Sequence, residues 1–130
     1  MRLLLDTHVA LWALTNHPNL SDLARTLIGD PQNEIFVSVA VVWEIAIKHA
    51  AGRVPKPIPM SGQDALEAFR GAGYQVIDIT PAHVVALEQL PPLHRDPFDR
   101  ILVAQAISTP LRLLTRDRTV AAYSDTIILV

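Results

Sequence analysis

The most informative stretch of this chain is Leu-Leu-Leu-Asp-Thr-His at residues 3–8, where an acid ends an apolar run. Short apolar runs of this kind are typical of strands buried on both faces of a parallel sheet. Residues 2–5 are therefore predicted to form the first strand. Further strands are predicted over residues 34–37, 74–79, 111–115 and 127–130.

Longer amphipathic segments separate these runs and carry the signals of helix starts and stops. Ser21, Ser38, Ser61 and Thr80 are predicted N-caps. With their caps, helices are predicted over residues 9–14, 21–28, 38–51, 61–72, 80–90 and 98–107, and a proline-rich extended connection over 54–59. The alternation of strands and helices predicts an α/β fold with a mostly parallel sheet of four to five strands.

The composition fits one small domain spanning residues 1–130. Half of the residues are hydrophobic and only 18% are charged, which favours a further buried interface such as a homodimer or a protein partner. The absence of cysteine from the sequence excludes a disulfide framework, a thiolate metal site and cysteine catalysis. Apolar runs stay well below the roughly 20 residues of a membrane-spanning helix. We expect a cytoplasmic protein without a membrane partner.

Five acids stand in apolar surroundings at predicted strand ends or on predicted helices: Asp6, Glu44, Asp96, Asp99 and Asp117. Ionised carboxylates in such settings are costly unless a cation or hydrogen-bond donors neutralise them. Strand ends distant in sequence can meet at one edge of a parallel sheet. Oxygen ligands without sulfur suit Mg²⁺ or Mn²⁺. The leading hypothesis is therefore a metal-dependent enzyme that cleaves phosphodiester bonds.

The first two acids also have structural interpretations. Asp6 can cap the helix that follows it. Glu44 can pair with Lys48, four residues later, on a solvent-exposed stripe of its helix. The apolar neighbours of both acids favour a ligand role, and capping and metal binding are compatible for Asp6.

The acids later in the chain have strong structural interpretations too. Asp96 precedes Pro97 at a predicted helix start, and Asp99 then resembles the third residue of a capping box. We favour Asp99 as a metal ligand and Asp96 as a cap or an outer-sphere support. For Asp117, a ligand role and a helix cap are equally compatible with the sequence.

Positively charged and hydroxyl side chains adjoin these acids. The net charge is −2, with 13 acids against 11 Lys and Arg, but without the five candidates the remainder is net positive. A metal-filled acidic pocket rimmed by arginines can accept a phosphate backbone. Trp12 and Trp43 lie on apolar helix faces and are predicted as core or interface residues rather than base-stacking platforms. Candidates for phosphate contact or support are Thr7, His94, Arg95, Arg100, Thr115 and Arg116.

Four segments resemble the PIN-domain ribonucleases, in particular the VapC-type toxins of type II toxin–antitoxin systems. They are L-L-L-D-T-H at 3–8, S-V-A-V-V-W-E-I-A-I-K at 38–48, H-R-D-P-F-D-R-I-L-V-A-Q-A at 94–106 and L-L-T-R-D at 113–117. The third segment is the most specific of the four. The resemblance extends over essentially the whole chain, with the motifs in the family's order.

The resemblance implies a three-layer α/β/α sandwich and an endoribonuclease that depends on Mg²⁺ or Mn²⁺. It also implies a homodimer that is inhibited by a cognate antitoxin protein. By motif, the four family acids match Asp6, Glu44, Asp99 and Asp117 in that order. Asp96 belongs to the subgroup with the D-P-F-D pattern.

Two other function classes remain open from the residues. A phosphoryl-transfer enzyme with Asp6 as the phosphate acceptor would also place an acid after an apolar strand. Such enzymes usually have a second Asp two positions later, where this chain has His8. The other alternative is a non-catalytic protein-binding module in which the acids only cap helices.

Overall fold

The computed structural model describes residues 1–51 and 58–130, so most of the predicted extended connection over 54–59 lies outside the described residues. All pairings in the sheet are parallel, and the strand order is β3-β2-β1-β4-β5. The prediction of a mostly parallel sheet of four to five strands is confirmed. The strands are β1 (Arg2–Leu5), β2 (Glu34–Ser38), β3 (Gln75–Ile77), β4 (Arg112–Thr115) and β5 (Ile128–Leu129).

Helices connect the strands and complete the expected three-layer α/β/α sandwich. The α-helices of the described residues are α1 (Thr7–Thr15), α2 (Asp22–Gly29), α3 (Val39–Ala51), α4 (Gly62–Gly71), α5 (Pro81–Ala86), α6 (Pro97–Ser108) and α7 (Arg118–Ala121). In the described part of the chain, none of these helices has the length and apolar character needed to cross a bilayer.

Several predicted elements are shorter in the structure than expected, among them β5, which was expected over 127–130 and covers Ile128–Leu129. The strand expected over 74–79 is reduced to β3, which lies at the edge of the sheet and pairs with β2 alone among the strands described. Of the helix expected over 80–90, the first part forms α5, and a 3₁₀ turn over Leu87–Gln89 follows it. Leu90 is then extended, because a residue that precedes a proline disfavours the helical conformation.

The hydrophobic core covers both faces of the central strands. The side chains of Leu3, Leu4 and Leu5 in β1 and of Leu113 and Leu114 in β4 have no exposed surface. Complete burial of a leucine side chain contributes about 1.5–3 kcal/mol. The unbroken apolar runs in the sequence therefore correspond to strands covered on both sides, as parallel sheets require.

The chain reverses its direction of strand addition between β1 and β4. It first adds β2 and β3 on one side of β1 and then returns to place β4 on the other side. The backbone amide of Asp6 donates to the carbonyl of Leu114 at 3.1 Å, which ties the two strand ends together. In open α/β sheets, ligands bind in the crevice at this kind of reversal, outside the carboxyl ends of the strands.

Candidate active site

A groove of about 1100 Å³ opens at the carboxyl ends of β1 and β4. Its walls come from α1, α3, the segment that leads into α6, the turn after β4, and residues 58–60. The fold therefore brings residues from distant parts of the sequence to one place. The predicted site residues among its lining are Asp6, Thr7, Glu44, His94, Asp96, Asp99, Arg116 and Asp117.

Asp6 caps α1 and faces the groove. Its Oδ1 atom accepts a hydrogen bond from the backbone amide of Val9 at 2.9 Å, and only 6% of the residue is exposed. Burial raises the pKa of Asp6, and this effect exceeds the opposing hydrogen bonds from Thr115 and Val9. The predicted cap is confirmed, and the buried charge calls for further neutralisation.

Glu44 projects from α3 into the same region and is 4% exposed. The Thr7 hydroxyl donates to its Oε1 atom at 2.6 Å, and the Lys48 ammonium lies 2.5 Å from its Oε2 atom. The pair with Lys48 is therefore present, but Glu44 is buried rather than on a solvent-exposed stripe. The Lys48 side chain is 36% exposed and lines the groove, so a cation of the chain itself already contacts the acidic site.

Asp99 lies in the first turn of α6 with 23% of its side chain exposed. Burial raises the pKa of Asp99 to about 7, and the negative charges of Asp96 and Asp6 add to this effect. A carboxylate near a helix N-terminus is normally stabilised by the helix dipole. Here desolvation and like charges outweigh that stabilisation, so a neighbouring cation would favour the ionised carboxylate.

Asp96 is the N-cap of α6, as its position before a proline predicts. Its Oδ1 atom accepts from the backbone amides of Phe98 at 2.8 Å and Asp99 at 3.4 Å. These bonds satisfy amide groups that have no partner within the helix. A capping role for Asp96 is confirmed, whereas its outer-sphere role stays a prediction.

The two carboxylate oxygens of Asp117 have different partners. Its Oδ1 atom caps α7 by accepting from the amides of Thr119 at 2.8 Å and Val120 at 3.4 Å. Its Oδ2 atom lies 3.2 Å from His94 Nε2. Partial burial acts to raise the pKa of Asp117, but the hydrogen bonds from Thr119, His94 and Val120 outweigh it and lower the pKa. Capping and a site role are therefore compatible in one residue.

His94 bridges two of the acids. Its Nδ1 atom accepts from the backbone amide of Asp96 at 3.0 Å, so the ring proton of the neutral imidazole resides on Nε2. That nitrogen lies 3.3 Å from Asp99 Oδ2 and 3.2 Å from Asp117 Oδ2. Ligand atoms of these three residues all lie within 4.8 Å of one another. The imidazole thus orients the two carboxylates toward a common point.

The hydroxyl groups of Thr7 and Thr115 contact residues of the acidic site. Thr7 donates to Glu44, as described above, and the Thr115 hydroxyl accepts from the amide of Asp117 at 3.1 Å. The Thr115 hydroxyl also acts to lower the pKa of Asp6. Since each hydroxyl connects parts of the site that are remote in sequence, both residues can fix the orientation of its carboxylates.

The three predicted arginines have different surroundings. The Arg100 guanidinium donates to the carbonyl of Pro91 at 3.2 Å and to the hydroxyl of Tyr123 at 3.1 Å, so it anchors the loop before α6. Arg116 is exposed and lines the groove, whereas Arg95 is exposed in the segment before α6. Phosphate contact by any of these three arginines stays a prediction.

Sequence reasoning missed one wall of the groove. Trp12 packs partly against the core, as predicted, but it also lines the groove together with His8 and His17. The spacing of residues 8 and 12 on one helix face was an available signal, because residues four apart in a helix are neighbours. Trp43 is 55% exposed and contacts Phe98 edge to face at 4.8 Å, outside that wall.

Comparison with known proteins gives relatives over nearly the whole chain. The family model described as PIN domain matches residues 3–125. Ribonuclease VapC22 from Mycobacterium tuberculosis (strain ATCC 25618 / H37Rv) is 32% identical over 123 residues, covering 92% of this chain and 90% of that protein. Ribonuclease VapC16 from the same strain is 34% identical over 71 residues, covering 52% of this chain and 50% of that protein.

Solved structures share the fold at low sequence identity. VapBC2 from Rickettsia felis, crystallised with a DNA fragment from its promoter, gives a TM-score of 0.68 at 20% identity, covering 100% of this chain and 98% of that chain. FitAcB from Neisseria gonorrhoeae gives 0.60 at 15% identity, with 98% and 96% covered. Because the family model matches residues 3–125, and because VapC22 is similar over 92% of the chain and the fold agrees, this chain belongs to the PIN-domain family.

Proposed function

We propose that this protein is a metal-dependent endoribonuclease and the toxin of a toxin–antitoxin pair. The observation that carries the proposal is the convergence of Asp6, Glu44, Asp99 and Asp117 on one groove at the reversal of strand order. The ribonuclease names of its PIN-domain relatives support the same activity. Family membership also argues against the alternative in which Asp6 accepts a phosphoryl group.

Helix capping alone does not account for the acids. Asp6, Asp96 and Asp117 each cap a helix, which agrees with the non-catalytic alternative. Asp99 and Glu44 are not N-caps, yet both are buried or half-buried against the same groove. Glu44 is compensated in part by Lys48, but the Asp99 carboxyl group has a pKa raised to about 7 by burial and by neighbouring acids. Placing it there costs stability without a further cation, so a binding role is the better explanation.

The residues present fit a hard divalent cation. All four acids offer oxygen ligands, and the pKa values of Asp6 and Asp99 are raised by burial, which a cation would reverse. We propose that Asp6, Glu44, Asp99 and Asp117 hold Mg²⁺ or Mn²⁺. When bound, the cation would supply the positive charge that activates water and stabilises the scissile phosphate.

The surrounding side chains prepare this site for a phosphate backbone. Lys48 and Thr7 hold the Glu44 carboxylate, and His94 orients Asp99 and Asp117. The exposed guanidinium of Arg116 lies at the rim, where it can pair with a phosphate of the substrate. We propose single-stranded or looped RNA as the substrate, because reading RNA bases generally requires exposed, unstacked bases.

End-group analysis of the cleaved RNA tests the mechanism. Attack by water leaves a 5′-phosphate and a 3′-hydroxyl, whereas attack by the ribose 2′-hydroxyl leaves a 2′,3′-cyclic phosphate. We expect the first pair of ends with Mg²⁺ or Mn²⁺ and no cleavage in EDTA. Asp99→Asn should be inactive, while Asp125→Asn, a change of an exposed acid outside the groove, should cleave like the wild type. Cyclic phosphate ends, or full activity in EDTA, would rule out the mechanism.

We further propose that a cognate antitoxin protein inhibits the enzyme. The exposed apolar side chains of Trp43 and Ile47 on α3 offer a surface for an apolar helix or extended segment of a partner. A basic side chain of that partner would find the acidic groove nearby. Expression of the chain alone should stop growth, and co-expression with the product of an adjacent small reading frame should restore it. Equal toxicity of wild type and Asp99→Asn would show that the harm is not enzymatic.

We also propose a homodimer. The valines at positions 84 and 85 in α5 are 51% and 60% exposed, and half of the chain is hydrophobic. Light scattering after size-exclusion chromatography should give twice the mass of one chain. The mass of one chain at micromolar concentration would contradict the proposal.

A further inference from the structure

Three aromatic rings form a wall of the groove beside the acids. We call His8, Trp12 and His17 the aromatic shelf. The ring centres of His8 and Trp12 are 5.7 Å apart at an interplanar angle of 44°. Those of Trp12 and His17 are also 5.7 Å apart, at 26°, which is a stacked arrangement. All three residues line the groove that contains the acidic site.

Hydrogen bonds hold the far end of the shelf in place. Asn16 ends α1 in the left-handed conformation, with φ of 49°, and directs the chain back along the helix. The backbone amide of His17 then donates to the carbonyl of Trp12 at 2.9 Å. His17 Nδ1 accepts from the amide of Asn19 at 3.0 Å, so a neutral imidazole carries its proton on Nε2 as a donor. The shelf is therefore preformed.

Arg116 connects the shelf to the acidic site. Its guanidinium carbon lies 4.9 Å from the centre of the Trp12 ring, and the next residue, Asp117, belongs to the acidic cluster. At the other end, α1 starts directly after Asp6. A ligand held on the shelf is therefore placed beside the acids, with an arginine between the two regions.

We propose that the aromatic shelf is a nucleobase-binding subsite for the nucleotide next to the scissile phosphate of single-stranded RNA. The inference rests on the proposed endoribonuclease function and deepens it. A base stacks on the indole of Trp12, and Arg116 moves from the indole to a phosphate. Base–aromatic stacking is stronger than an exposed cation–π contact, so the exchange is favourable.

The polar groups around the shelf favour a nucleotide over an apolar peptide. A guanidinium pairs with phosphate, and the imidazole donor of His17 can reach a base edge or a backbone oxygen. Trp43 provides the contrast, since it contacts Phe98 and the exposed apolar Ile47 lies four positions later on the same helix. Stacking tolerates any base, so the subsite contributes affinity and position more than sequence specificity.

The experiment measures kcat/KM on short RNA oligonucleotides in Mn²⁺. A cut site is first located in a folded RNA by digestion with the wild-type protein. An oligonucleotide spanning that site is then made in an intact form and in a series of forms that each lack one base. Trp12→Leu keeps apolar packing but removes the aromatic face, and Trp12→Phe keeps an aromatic face. Tyr74→Leu is the matched control, because it removes another aromatic ring of the chain, which lies outside the groove.

We expect Trp12→Leu to lose about tenfold in kcat/KM on the intact oligonucleotide, equivalent to about 1.4 kcal/mol. On the oligonucleotide that lacks the stacked base, Trp12→Leu and the wild type should have the same kcat/KM. On the intact oligonucleotide, Trp12→Phe should lose less than Trp12→Leu, and Tyr74→Leu should lose nothing. An equal loss on all oligonucleotides, or no loss at all, would overturn the subsite. If the wild type cleaves no RNA, the proposed function is wrong, and the proposed subsite is then wrong as well.

Fluorescence gives a second readout that does not depend on turnover. In a Trp43→Phe protein, Trp12 is the remaining tryptophan. Its emission should be quenched by the intact oligonucleotide and much less by the one that lacks the stacked base. Equal quenching by both would contradict stacking at Trp12.

Discussion

Replacement of Asp99 by Asn is expected to stabilise the protein in the absence of metal. Burial, and then the negative charges of Asp96 and Asp6, raise the pKa of Asp99 from 3.8 to about 7. The unfolded chain therefore releases this proton near pH 3.8, but the folded protein releases it only near pH 7. Since the folded state binds the proton more tightly in that interval, its stability falls as the pH rises from about 4 to about 7.

The magnitude follows from the pKa shift. At 1.36 kcal/mol per unit, a shift of about three units corresponds to about 4 kcal/mol. Solvent contact of the 23% exposed side chain, and sharing of the proton with the neighbouring acids, reduce this effect. We expect Asp99→Asn to be more stable than the wild type by about 2–3 kcal/mol at neutral pH, because its amide has the same shape without the charge.

Urea unfolding in EDTA, followed by circular dichroism at about pH 4 and about pH 8, measures this difference. The gain should be present at the higher pH and largely disappear at the lower one. Asp125→Asn is the control, since this acid is exposed and lies outside the groove. Addition of Mn²⁺ should stabilise the wild type and not Asp99→Asn. The same pH dependence in both proteins, or a less stable variant near neutral pH, would refute the electrostatic argument.

Four further substitutions, at three positions, separate structural from functional roles. Asp6→Ala should lower the free energy of unfolding by about 1 kcal/mol, because it loses the α1 cap, whereas Asp6→Asn keeps a cap. Both variants should stop RNA cleavage, and unfolding curves together with cleavage assays would check these two effects. Arg100→Ala should unfold more readily by about 1–3 kcal/mol, because its guanidinium anchors a loop; weaker RNA binding at unchanged stability would instead support phosphate contact. Arg116→Ala should reduce the salt dependence of single-stranded RNA binding by about 0.7 log units per decade, measured by fluorescence anisotropy.

The regular elements follow from local sequence. Apolar runs predicted β1, β2 and β4, because a strand buried on both faces needs apolar side chains at successive positions. The caps at Asp6, Asp96 and Asp117 were also foreseeable, since capping involves residues only two or three positions apart. The single-domain organisation and the cytoplasmic location stay predictions.

The organisation of the groove depends on contacts between residues far apart in sequence. Thr7 and Glu44 are 37 positions apart, and His94 and Asp117 are 23 apart. The sequence placed acids at strand ends and on helices, but packing decided that His94 bridges two of them and that Arg100 anchors a loop. Likewise, the local sequence around Trp12 is the same whether its ring lies in the core or in a groove. Only the tertiary positions of Arg116 and His17 beside the ring make Trp12 part of the aromatic shelf. Local patterns thus determined the fold and the candidate acids, while burial and charge proximity, which arise only in the folded chain, determined their electrostatics and their neighbours.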